Sequence, residues 1–396
     1  MPATGTVAGM DAAPFGADSG GMATNVMILG AGFGGLELAT LLSERLAADV
    51  AVTLVDQEDA FVFGFSKLDV LAGRCTGDEV RIPYARFAKP GVEFRRERVV
   101  AIDPAARRVV TDAATYDPDL LVVALGAEYD MAATPGFADG GFEYYTVAGA
   151  ARLRDELAAF GGGRVLLAVL GIPFKCPPAP YEGILLVHDA LAARGIREAS
   201  ALHIVSPQHA PIPVSREASA ALERALAERG IEYTKRHRVY GIDPARKMAQ
   251  YKDHEEPYDL FIGIPVHRVP EVAVRAGLTQ DGWVAVDPLT YGTRFPGVYA
   301  LGDCAESGIP KAGTFAESAA RVVAAQIVRE VRGRGGPERG GKGLCYIEYG
   351  DGEVGRVDVD FLAPGGPTAP FLGPTRAYAA EKAQFGAVRR ARWFRS

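Results

Sequence analysis

The sequence of 396 residues has few cysteines and no long uninterrupted apolar segment. Its four cysteines, Cys75, Cys176, Cys304 and Cys345, lie far apart, which excludes a local C-x-x-C redox pair or zinc knuckle, and we expect no metal site. No apolar run approaches the roughly 18–20 residues that a membrane-spanning helix requires. The net charge of −6 reflects no excess of basic residues, so we expect no nucleic-acid partner.

The first 24 residues lack both the basic start and the apolar core of a signal peptide. They are rich in small and polar residues, which predicts a disordered tail over residues 1–24 and makes the cytoplasm the expected compartment. A reducing compartment disfavours structural disulfides, so any cysteine pair must be brought together by the fold. Hydrophobic residues make up 48% of the chain, which is enough for large buried cores.

Short apolar runs alternate with helical patterns along most of the chain, and this alternation predicts an α/β fold. Two such series predict two tandem Rossmann-like, dinucleotide-binding domains. The predicted strands cover residues 25–29, 51–55, 120–125, 164–170, 201–205, 259–264 and 297–303. One helix is predicted from the end of the glycine-rich segment at residue 35 to about residue 45, and two others over about residues 181–194 and 314–332.

A glycine-rich turn follows the first predicted strand, in the pattern Gly30-x-Gly32-x-x-Gly35. The first glycine permits a tight turn, the second lets the backbone approach a pyrophosphate, and the third lets helix and strand pack closely. The phosphates would lie at the helix N-terminus, where amide groups and the helix dipole favour anions. Asp56 follows at the end of the next strand, where a carboxylate can bind ribose hydroxyls. These residues predict a dinucleotide site but do not separate FAD from NAD.

Two later segments resemble the flavin-binding signatures of flavoproteins that have two dinucleotide-binding folds. Residues 297–303 (GVYALGD) are an apolar strand that ends in Gly-Asp, where the family's aspartate binds the ribitol chain of FAD. Residues 116–126 (YDPDLLVVALG) resemble the YDxLVxATG segment of the same proteins. The resemblance implies a glutathione-reductase-like, three-layer ββα arrangement and an FAD site. Its expected contacts are Gly30, Gly32, Phe33, Gly35, Asp56, Gln57, Val99, Leu125, Gly126, Gly302, Asp303, Lys311 and Ala312.

The two series of strands and helices also predict domain boundaries. The FAD-binding domain is expected to comprise residues 25–148 and 275–332, with residues 149–274 inserted as a second dinucleotide-fold domain. Residues 333–396 are predicted to form a small C-terminal module of strands at 345–349 and 357–361 and one basic, aromatic helix.

The inserted domain lacks the glycine-rich turn that a nicotinamide dinucleotide requires. Its first strand is followed by residues 171–182, GIPFKCPPAPYE, which contain four prolines. Proline has no backbone N–H to donate to a phosphate, and the next strand ends in Ser206-Pro207, without an acidic residue for a ribose. The sequence therefore predicts that this domain has no NAD(H) site.

The same segment contains Cys176 within KCPPAPYE, which resembles the corresponding loop of sulfide:quinone oxidoreductases and flavocytochrome c sulfide dehydrogenases. Residues 264–270 (IPVHRVP) and 309–313 (IPKAG) resemble segments of the quinone-reducing members. Cys345, within Leu-Cys-Tyr, resembles the family's second cysteine. The resemblance spans almost the whole chain, and it implies that Cys176 and Cys345 form a redox-active pair beside the flavin.

The implied reaction suits a pair of cysteines. Oxidation of sulfide requires an electrophilic disulfide that traps the sulfur and a thiolate that reaches the flavin. The expected substrate is sulfide or a persulfide, and the expected electron acceptor is a quinone or another oxidant. Cys304 lies within the second flavin signature and is expected to be a packing residue, whereas Cys75 has no recognisable partner.

Two departures from the family concern the acceptor and the cofactor. Residues 127–131 lack the third cysteine that quinone-reducing members often have after the segment matching Leu125-Gly126. No cysteine lies within residues 61–65, near the position where some relatives attach FAD. We therefore expect FAD to bind non-covalently.

The predicted terminal helix over residues 376–395 combines arginines with aromatic residues. Such a helix can lie on an anionic membrane surface, as in the family's quinone-reducing members, or pack on the flavin domain or at a dimer interface. A homodimer and peripheral contact with the inner face of the cell membrane are both expected. His267 is either a buried structural residue or a proton relay.

Three functions are compatible with these residues. The first is oxidation of sulfide or persulfide by a flavoprotein. The second is an NADH:quinone oxidoreductase of the single-subunit type, which the missing second glycine-rich turn disfavours. The third is a flavin-bound redox sensor whose cysteines act through a partner, and it predicts slow turnover with every acceptor.

Overall fold

The computed structural model describes residues 23–395, which form an α/β fold with helices packed against two parallel β-sheets. Residues 1–22 of the predicted tail, and Ser396, lie outside the described residues. The described helices are α1 (Phe33–Leu46), α2 (Ser66–Leu71), α3 (Phe137–Gly140), α4 (Val147–Ala159), α5 (Ala179–Ala193), α6 (Arg216–Glu228), α7 (Glu271–Arg275), α8 (Gly313–Arg332) and α9 (Arg376–Trp393). Short 3₁₀ helices cover Ala47–Asp49, Tyr84–Arg86, Met131–Ala133 and Gly302–Cys304.

The strands of the described residues are numbered in chain order. The first group is β1 (Thr24–Leu29), β2 (Val50–Asp56), β3 (Ala60–Phe61), β4 (Ile82–Pro83), β5 (Val92–Arg96), β6 (Val99–Asp103), β7 (Arg108–Thr111), β8 (Thr115–Tyr116), β9 (Leu120–Val123) and β10 (Glu128–Asp130). The second is β11 (Gly163–Val169), β12 (Ser200–Ser206), β13 (Ile231–Lys235), β14 (Gly241–Asp243), β15 (Met248–Gln250), β16 (Glu255–Pro257), β17 (Leu260–Ile264) and β18 (Val266–Arg268). The third is β19 (Thr279–Gln280), β20 (Trp283–Ala285), β21 (Val298–Ala300), β22 (Ala305–Glu306), β23 (Lys342–Gly350), β24 (Glu353–Asp360) and β25 (Phe371–Thr375).

The first sheet has five parallel strands in the order β21-β9-β1-β2-β5. Its central strands are continuous apolar runs because layers of structure cover both faces. Helices α1 and α8 pack together on one face, and side chains from β6, β7 and β20 pack on the other. The α/β prediction is therefore confirmed, and β21 joins this sheet although it lies far along the chain from β9.

The second sheet has four parallel strands in the order β13-β12-β11-β17. Helix α5 packs beside β11 and β12, and almost every residue of its first half is buried. It begins at Ala179, within the proline-rich segment, because prolines such as Pro178 and Pro180 are tolerated at the start of a helix, where backbone N–H groups have no partner within the helix. The loop that contains Cys176 therefore lies between the end of β11 and the start of α5.

The C-terminal strands β23, β24 and β25 form an antiparallel sheet that shares a hydrophobic core with the second parallel sheet. Strand β23 packs against α5 and α8, and this contact brings Cys345 towards the loop before α5. Helix α9 packs against β24 and α1. Within the described part of the chain, no helix combines the length and apolar character needed to span a membrane.

Candidate active site

A cavity of about 510 Å³ lies at the carboxyl ends of the strands of the first parallel sheet. Residues that directly follow β1, end β2, or follow β9 and β21 line it, because the carboxyl ends of parallel strands meet at one edge of a sheet. The opposite wall comes from the loop before α5, from β23 and from α9. The cavity therefore joins the predicted dinucleotide site to the two predicted redox cysteines.

The three glycines of the first turn differ in what requires them. A Cβ at Gly35 would lie 1.9 Å from the carbonyl oxygen of Gly30, so close packing of α1 on β1 excludes a side chain there. Gly30 has φ +104°, and a Cβ there would lie 2.3 Å from the carbonyl oxygen of Ala124. Gly32 has an ordinary extended backbone, and no atom of the described residues lies within 4 Å of the place that a Cβ would take. Because Gly32 lines the cavity, its missing side chain leaves space for a ligand rather than for protein.

Asp56 fixes the glycine-rich turn and borders the cavity. Its carboxylate accepts hydrogen bonds from the backbone N–H of Ala31 at 2.7 Å and of Glu58 at 3.0 Å. The hydroxyl of Tyr84 donates to the carbonyl oxygen of Ala31 at 2.8 Å, so both backbone polar groups of Ala31 are paired. Each carboxylate oxygen has two lone pairs, which leaves acceptor capacity for ribose hydroxyls.

Asp303 is the most informative polar group of the cavity. Its Oδ1 atom is buried and has no hydrogen-bond partner among the described residues, although buried oxygens are nearly always paired. Burial raises the pKa of Asp303, and Lys175, Lys311 and Lys67 oppose this effect. A polyhydroxyl chain such as ribitol would donate to this oxygen and remove the penalty. The orphaned carboxylate, the open space at Gly32 and the position of Asp56 together fit FAD.

Lysine side chains form the second polar feature of the cavity. The ammonium group of Lys311 donates to the carbonyl oxygen of Ala305 at 3.2 Å and lies 3.6 Å from the ring centre of Trp283. Lys175 donates to the carbonyl oxygen of Ala127 at 3.0 Å. Burial lowers the pKa of Lys311, and Asp303 opposes that change. Two fixed cations at this position would stabilise negative charge on an electron-accepting ring.

Most of the predicted cofactor contacts line this cavity. They are Gly30, Gly32, Phe33, Asp56, Leu125, Gly126, Gly302, Asp303, Lys311 and Ala312. Gly35 lies behind the turn, in the packing contact between α1 and β1. Gln57 is exposed and Val99 begins β6, and neither is among the described residues that line the cavity.

Cys176 and Cys345 both line the cavity, and all four cysteines are free. The backbone N–H of Cys176 donates to the carbonyl oxygen of Lys311 at 2.9 Å, which ties the cysteine loop to the cofactor-binding segment. Cys176 has φ +56°, an uncommon conformation for a residue with a side chain, and such positions are frequent at functional sites. The predicted disulfide between the two cysteines stays a prediction.

The two cysteines have closely related surroundings. Burial raises the pKa of Cys345 to about 12, and Glu182 adds to this effect. Burial also raises the pKa of Cys176 well above its usual range, and Glu182 and Cys345 act in the same direction. Neutral thiols are therefore the stable reduced form. Cys304 is different, because it is fully buried and donates to the carbonyl oxygens of nearby strand residues.

The sequence patterns missed several cavity residues. Glu182, Lys382, Phe65, Tyr346 and Phe385 all line the cavity. Glu182 is six residues after Cys176 and Tyr346 directly follows Cys345, so proximity to the cysteines was the available signal. Lys382 and Phe385 lie on α9, and no local pattern connects them with the flavin turn.

His267 is buried and lies between two tyrosine rings, with ring centres 5.0 Å from Tyr129 and 5.3 Å from Tyr145. Its Nδ1 atom pairs with the carbonyl oxygen of Pro265 at 2.8 Å. Burial, together with Lys175, lowers the pKa of His267 to about 3. The ring is therefore neutral at physiological pH, which favours the structural interpretation over the proton relay.

Arg392 and Trp393, near the end of α9, face the protein, whereas Arg390 is exposed. Arg392 pairs with Glu37 at 2.8 Å, and the indole N–H of Trp393 donates to the same carboxylate at 2.9 Å. The Trp393 ring makes edge contacts with Phe33 and Phe61. This arrangement matches the alternative in which the helix packs on the flavin domain, and contact with a membrane stays a prediction.

The parallel sheets, the glycine-rich turn and the cavity define a dinucleotide-binding oxidoreductase. The family model described as pyridine nucleotide-disulphide oxidoreductase matches residues 24–172 and 187–325, and the chain belongs to this family. It is therefore an FAD-dependent oxidoreductase.

Individual relatives confirm the resemblance to sulfide:quinone oxidoreductases. The mitochondrial sulfide:quinone oxidoreductase of Mus musculus is 25% identical over 312 residues, which cover 75% of this chain and 68% of the mouse protein. A type II NADH:quinone oxidoreductase of Staphylococcus saprophyticus is 34% identical over 134 residues, but only 33% of either chain is covered. The structure of the sulfide:quinone oxidoreductase from Aquifex aeolicus shares the fold, with a TM-score of 0.82 and 23% identity over 93% of this chain and 92% of that one.

Proposed function

We propose that this protein oxidises sulfide or a related sulfur species at Cys176 and Cys345 and passes the electrons through non-covalently bound FAD to a quinone. The main support is that both cysteines line the cavity that also contains Gly32 and Asp303. A sulfur species bound at the cysteines would therefore share one cavity with the cofactor.

The cysteine pair supplies the sulfur chemistry. A hydrosulfide anion attacks one sulfur of the Cys176–Cys345 disulfide, the S–S bond breaks, and the products are a persulfide on one cysteine and a thiolate on the other. Bound FAD would accept the two electrons of sulfur oxidation and transfer them to the acceptor. Lys175 and Lys311 would favour negative charge in this part of the cavity.

A quinone is the proposed acceptor because one end of the cavity has an aromatic wall. Phe65, Tyr346 and Phe385 all line the cavity there. The ring centre of Phe385 lies 6.2 Å from that of Phe65 and 5.7 Å from that of Tyr346. Flat aromatic side chains of this kind bind a flat quinone ring by stacking. Tyr346 is adjacent in sequence to Cys345, so the acceptor would lie near the sulfur chemistry.

The organisation of the chain supports the same proposal. We assign the cofactor to residues 25–148 and 275–332, the second dinucleotide fold to residues 149–274, and the second cysteine to a C-terminal module over residues 333–396.

No cysteine lies within residues 61–65. The cofactor would therefore be released by heat or acid. We further propose that the protein is a homodimer and that it is located in the cytoplasm or at the inner face of the cell membrane.

An NADH:quinone oxidoreductase is the second candidate, because type II enzymes of that activity are among the relatives. The segment between β11 and α5 argues against NADH as the substrate. Its four prolines replace the glycines and the amide donors that a second pyrophosphate would need. A redox sensor would have the same cavity but would turn over slowly with every acceptor.

An anaerobic titration separates these candidates. Sulfide should bleach the flavin absorbance of the purified protein, and added quinone should restore it. NADH should leave the absorbance unchanged. Rapid bleaching by NADH, with none by sulfide, would establish the second candidate instead.

A further inference from the structure

The loop between β11 and α5, residues 171–178, contains Cys176 and forms neither helix nor strand. Cys176 has φ +56°, and a residue with a side chain keeps this conformation only where its surroundings hold it there. Cys345 lies instead within β23, where it pairs with Val357 of β24, so the sheet fixes its backbone. The position of Cys176 relative to Cys345 therefore depends on the contacts of the loop.

The peptide that joins Lys175 to Cys176 is hydrogen-bonded at both of its polar groups. Its carbonyl oxygen accepts a hydrogen bond from the hydroxyl of Tyr145 at 2.9 Å. Its N–H group donates to the carbonyl oxygen of Lys311 at 2.9 Å. The angle φ of Cys176 describes the rotation of this peptide about the N–Cα bond of the cysteine. Tyr145 and Lys311 thus hold the angle at its uncommon value.

The side chain of Lys175 adds a third attachment. Its ammonium group donates to the carbonyl oxygen of Ala127 at 3.0 Å and lies 4.3 Å from the ring centre of Tyr129. Ala127 directly follows Gly126, at the end of the segment that resembles a flavin signature. Because Ala127 and Tyr129 engage the ammonium group, Lys175 acts on Cys176 through the backbone that the two residues share.

Tyr129 and Tyr145 form a packed unit behind the loop. The hydroxyl of Tyr129 donates to the carbonyl oxygen of Tyr145 at 3.0 Å, and the two ring centres are 5.9 Å apart. His267 lies against both rings, and Tyr145 is 7% exposed. Side chains in close-packed surroundings have few alternative positions. The two tyrosines therefore give the loop a rigid support.

We propose that Lys175 and Tyr145 are positioning residues that hold Cys176 where its sulfur can bond to that of Cys345. The proposal rests on the sulfur-oxidising function proposed above and adds the residues that determine how stable the disulfide is. When this disulfide forms, two S–H bonds break and one S–S bond forms. Two protons and two electrons pass to an oxidant such as oxidised dithiothreitol, which becomes the dithiol.

The geometry of a disulfide makes the bond sensitive to the loop. Its two Cα atoms must lie roughly 4.4–6.8 Å apart, and the torsion angle about the S–S bond has a narrow range. Because the sheet fixes Cys345, only the loop can bring Cys176 into this range. A loop that is free to relax lowers the effective concentration of one thiol at the other and so favours the dithiol form.

The test measures the stability of the disulfide in the FAD-loaded protein. The protein is equilibrated without oxygen in mixtures of reduced and oxidised dithiothreitol, and free thiols are then alkylated. Mass spectrometry of the peptides that contain Cys176 and Cys345 gives the fraction in the disulfide, and hence the equilibrium constant. Neither sulfide nor quinone is involved.

Lys175→Met should favour the dithiol form by about 10-fold and Tyr145→Phe by about 3-fold, as expected for the loss of one charge-assisted and one neutral hydrogen bond. Lys175→Arg keeps a charged donor and should stay within a factor of about 2 of the unchanged protein. Tyr145→Phe changes no charge, so the flavin midpoint potential, measured against a reference dye, should stay the same. This result separates positioning of the cysteine from an electrostatic effect on the cofactor.

The matched controls are Tyr181→Phe and Lys235→Met. The hydroxyl of Tyr181 pairs with that of Tyr233 at 2.9 Å, and Lys235 pairs with Glu223 at 2.6 Å and lies 5.5 Å from the ring centre of Tyr233. These variants thus remove a buried hydroxyl and a lysine beside a tyrosine, at residues that do not line the cavity. Both should leave the equilibrium constant unchanged.

Equilibrium constants within a factor of about 2 of the unchanged protein in both Lys175→Met and Tyr145→Phe would overturn the proposal. Shifts of the same size in the controls would also overturn it, because they would reveal a general loosening. Circular dichroism and flavin content show whether each variant is folded, and the nearly isosteric Tyr145→Phe provides the test if Lys175→Met is not.

The outcome for the sulfur-oxidising function is read separately. The expected shifts in a protein whose flavin sulfide does not reduce would support the positioning residues and refute the sulfide substrate. Failure to detect the disulfide in the unchanged protein at every dithiothreitol ratio would overturn both proposals.

Discussion

Replacement of Gly32 by valine should weaken cofactor binding while the polypeptide stays folded, whereas alanine at position 35 should destabilise the fold itself. Gly32 has φ −73° and ψ −164°, an extended conformation at the edge of the β region and outside the left-handed region that favours glycine. No atom of the described residues lies within 4 Å of the position that a Cβ would take there, so the protein itself leaves room for that atom. The added methyl groups would instead occupy the space from which the turn contacts a pyrophosphate.

The expected loss of affinity follows from the contacts that this side chain would block. One hydrogen bond between a backbone N–H and a charged phosphate contributes about 1.5–3 kcal/mol. Its loss weakens FAD binding by about 10–100-fold, at 1.4 kcal/mol for each factor of ten. The unfolding free energy of the cofactor-free protein should stay within about 0.5 kcal/mol of its original value.

Gly35→Ala is the matched control, because its Cβ would lie 1.9 Å from the carbonyl oxygen of Gly30. Helix α1 would have to move away from β1, and overpacking of this kind costs about 1–3 kcal/mol. Flavin titration monitored by fluorescence gives the affinity, and urea unfolding of the cofactor-free proteins gives the stability. Unchanged FAD affinity in Gly32→Val, or equal destabilisation by both substitutions, would refute the role assigned to Gly32.

Three further predictions concern the cysteines, the terminal helix and the buried carboxyl group. Cys176→Ser and Cys345→Ser should each abolish flavin reduction by sulfide while FAD stays bound, and Cys304→Ser should leave the rate unchanged; sulfide-driven bleaching in either of the first two variants would contradict the mechanism. Trp393→Ala should lower the unfolding free energy by about 3–5 kcal/mol, because the ring is buried against the flavin domain, and a loss below about 1 kcal/mol in urea unfolding would show that the helix end is not part of that core. The pKa of Glu182 is raised from 4.5 to about 7, so its protonation stabilises the native state below about pH 4.5 and this contribution is lost as the pH rises through 7. Glu182→Gln should therefore remove a decrease in stability of about 3 kcal/mol between pH 5 and 8, and an unchanged pH dependence of unfolding would argue against the raised pKa.

Local patterns in the sequence were sufficient for the parts of this protein that depend on neighbouring residues. The spacing of Gly30, Gly32 and Gly35 after an apolar run requires a tight turn between strand and helix, and the structure has β1 and α1 there. Asp303 was also identifiable, because an apolar strand that ends in Gly-Asp is a local pattern. Most limits of the predicted parallel strands agree with the structure to within about two residues, since continuous apolar runs of this length form buried strands.

The packing of distant segments around the cavity has no local signal in the sequence, and only the family resemblance placed Cys345 beside the flavin before the structure was known. Cys345 reaches the wall of the flavin cavity because β23 packs against α5 and α8. Glu182 has an unusual pKa because it is buried beside Glu348 and Lys382, which come from two other elements. Trp393 faces the flavin domain because Glu37 offers its indole a buried acceptor. Burial and electrostatic coupling are properties of the assembled core, and a linear pattern contains no information about which side chains will share it.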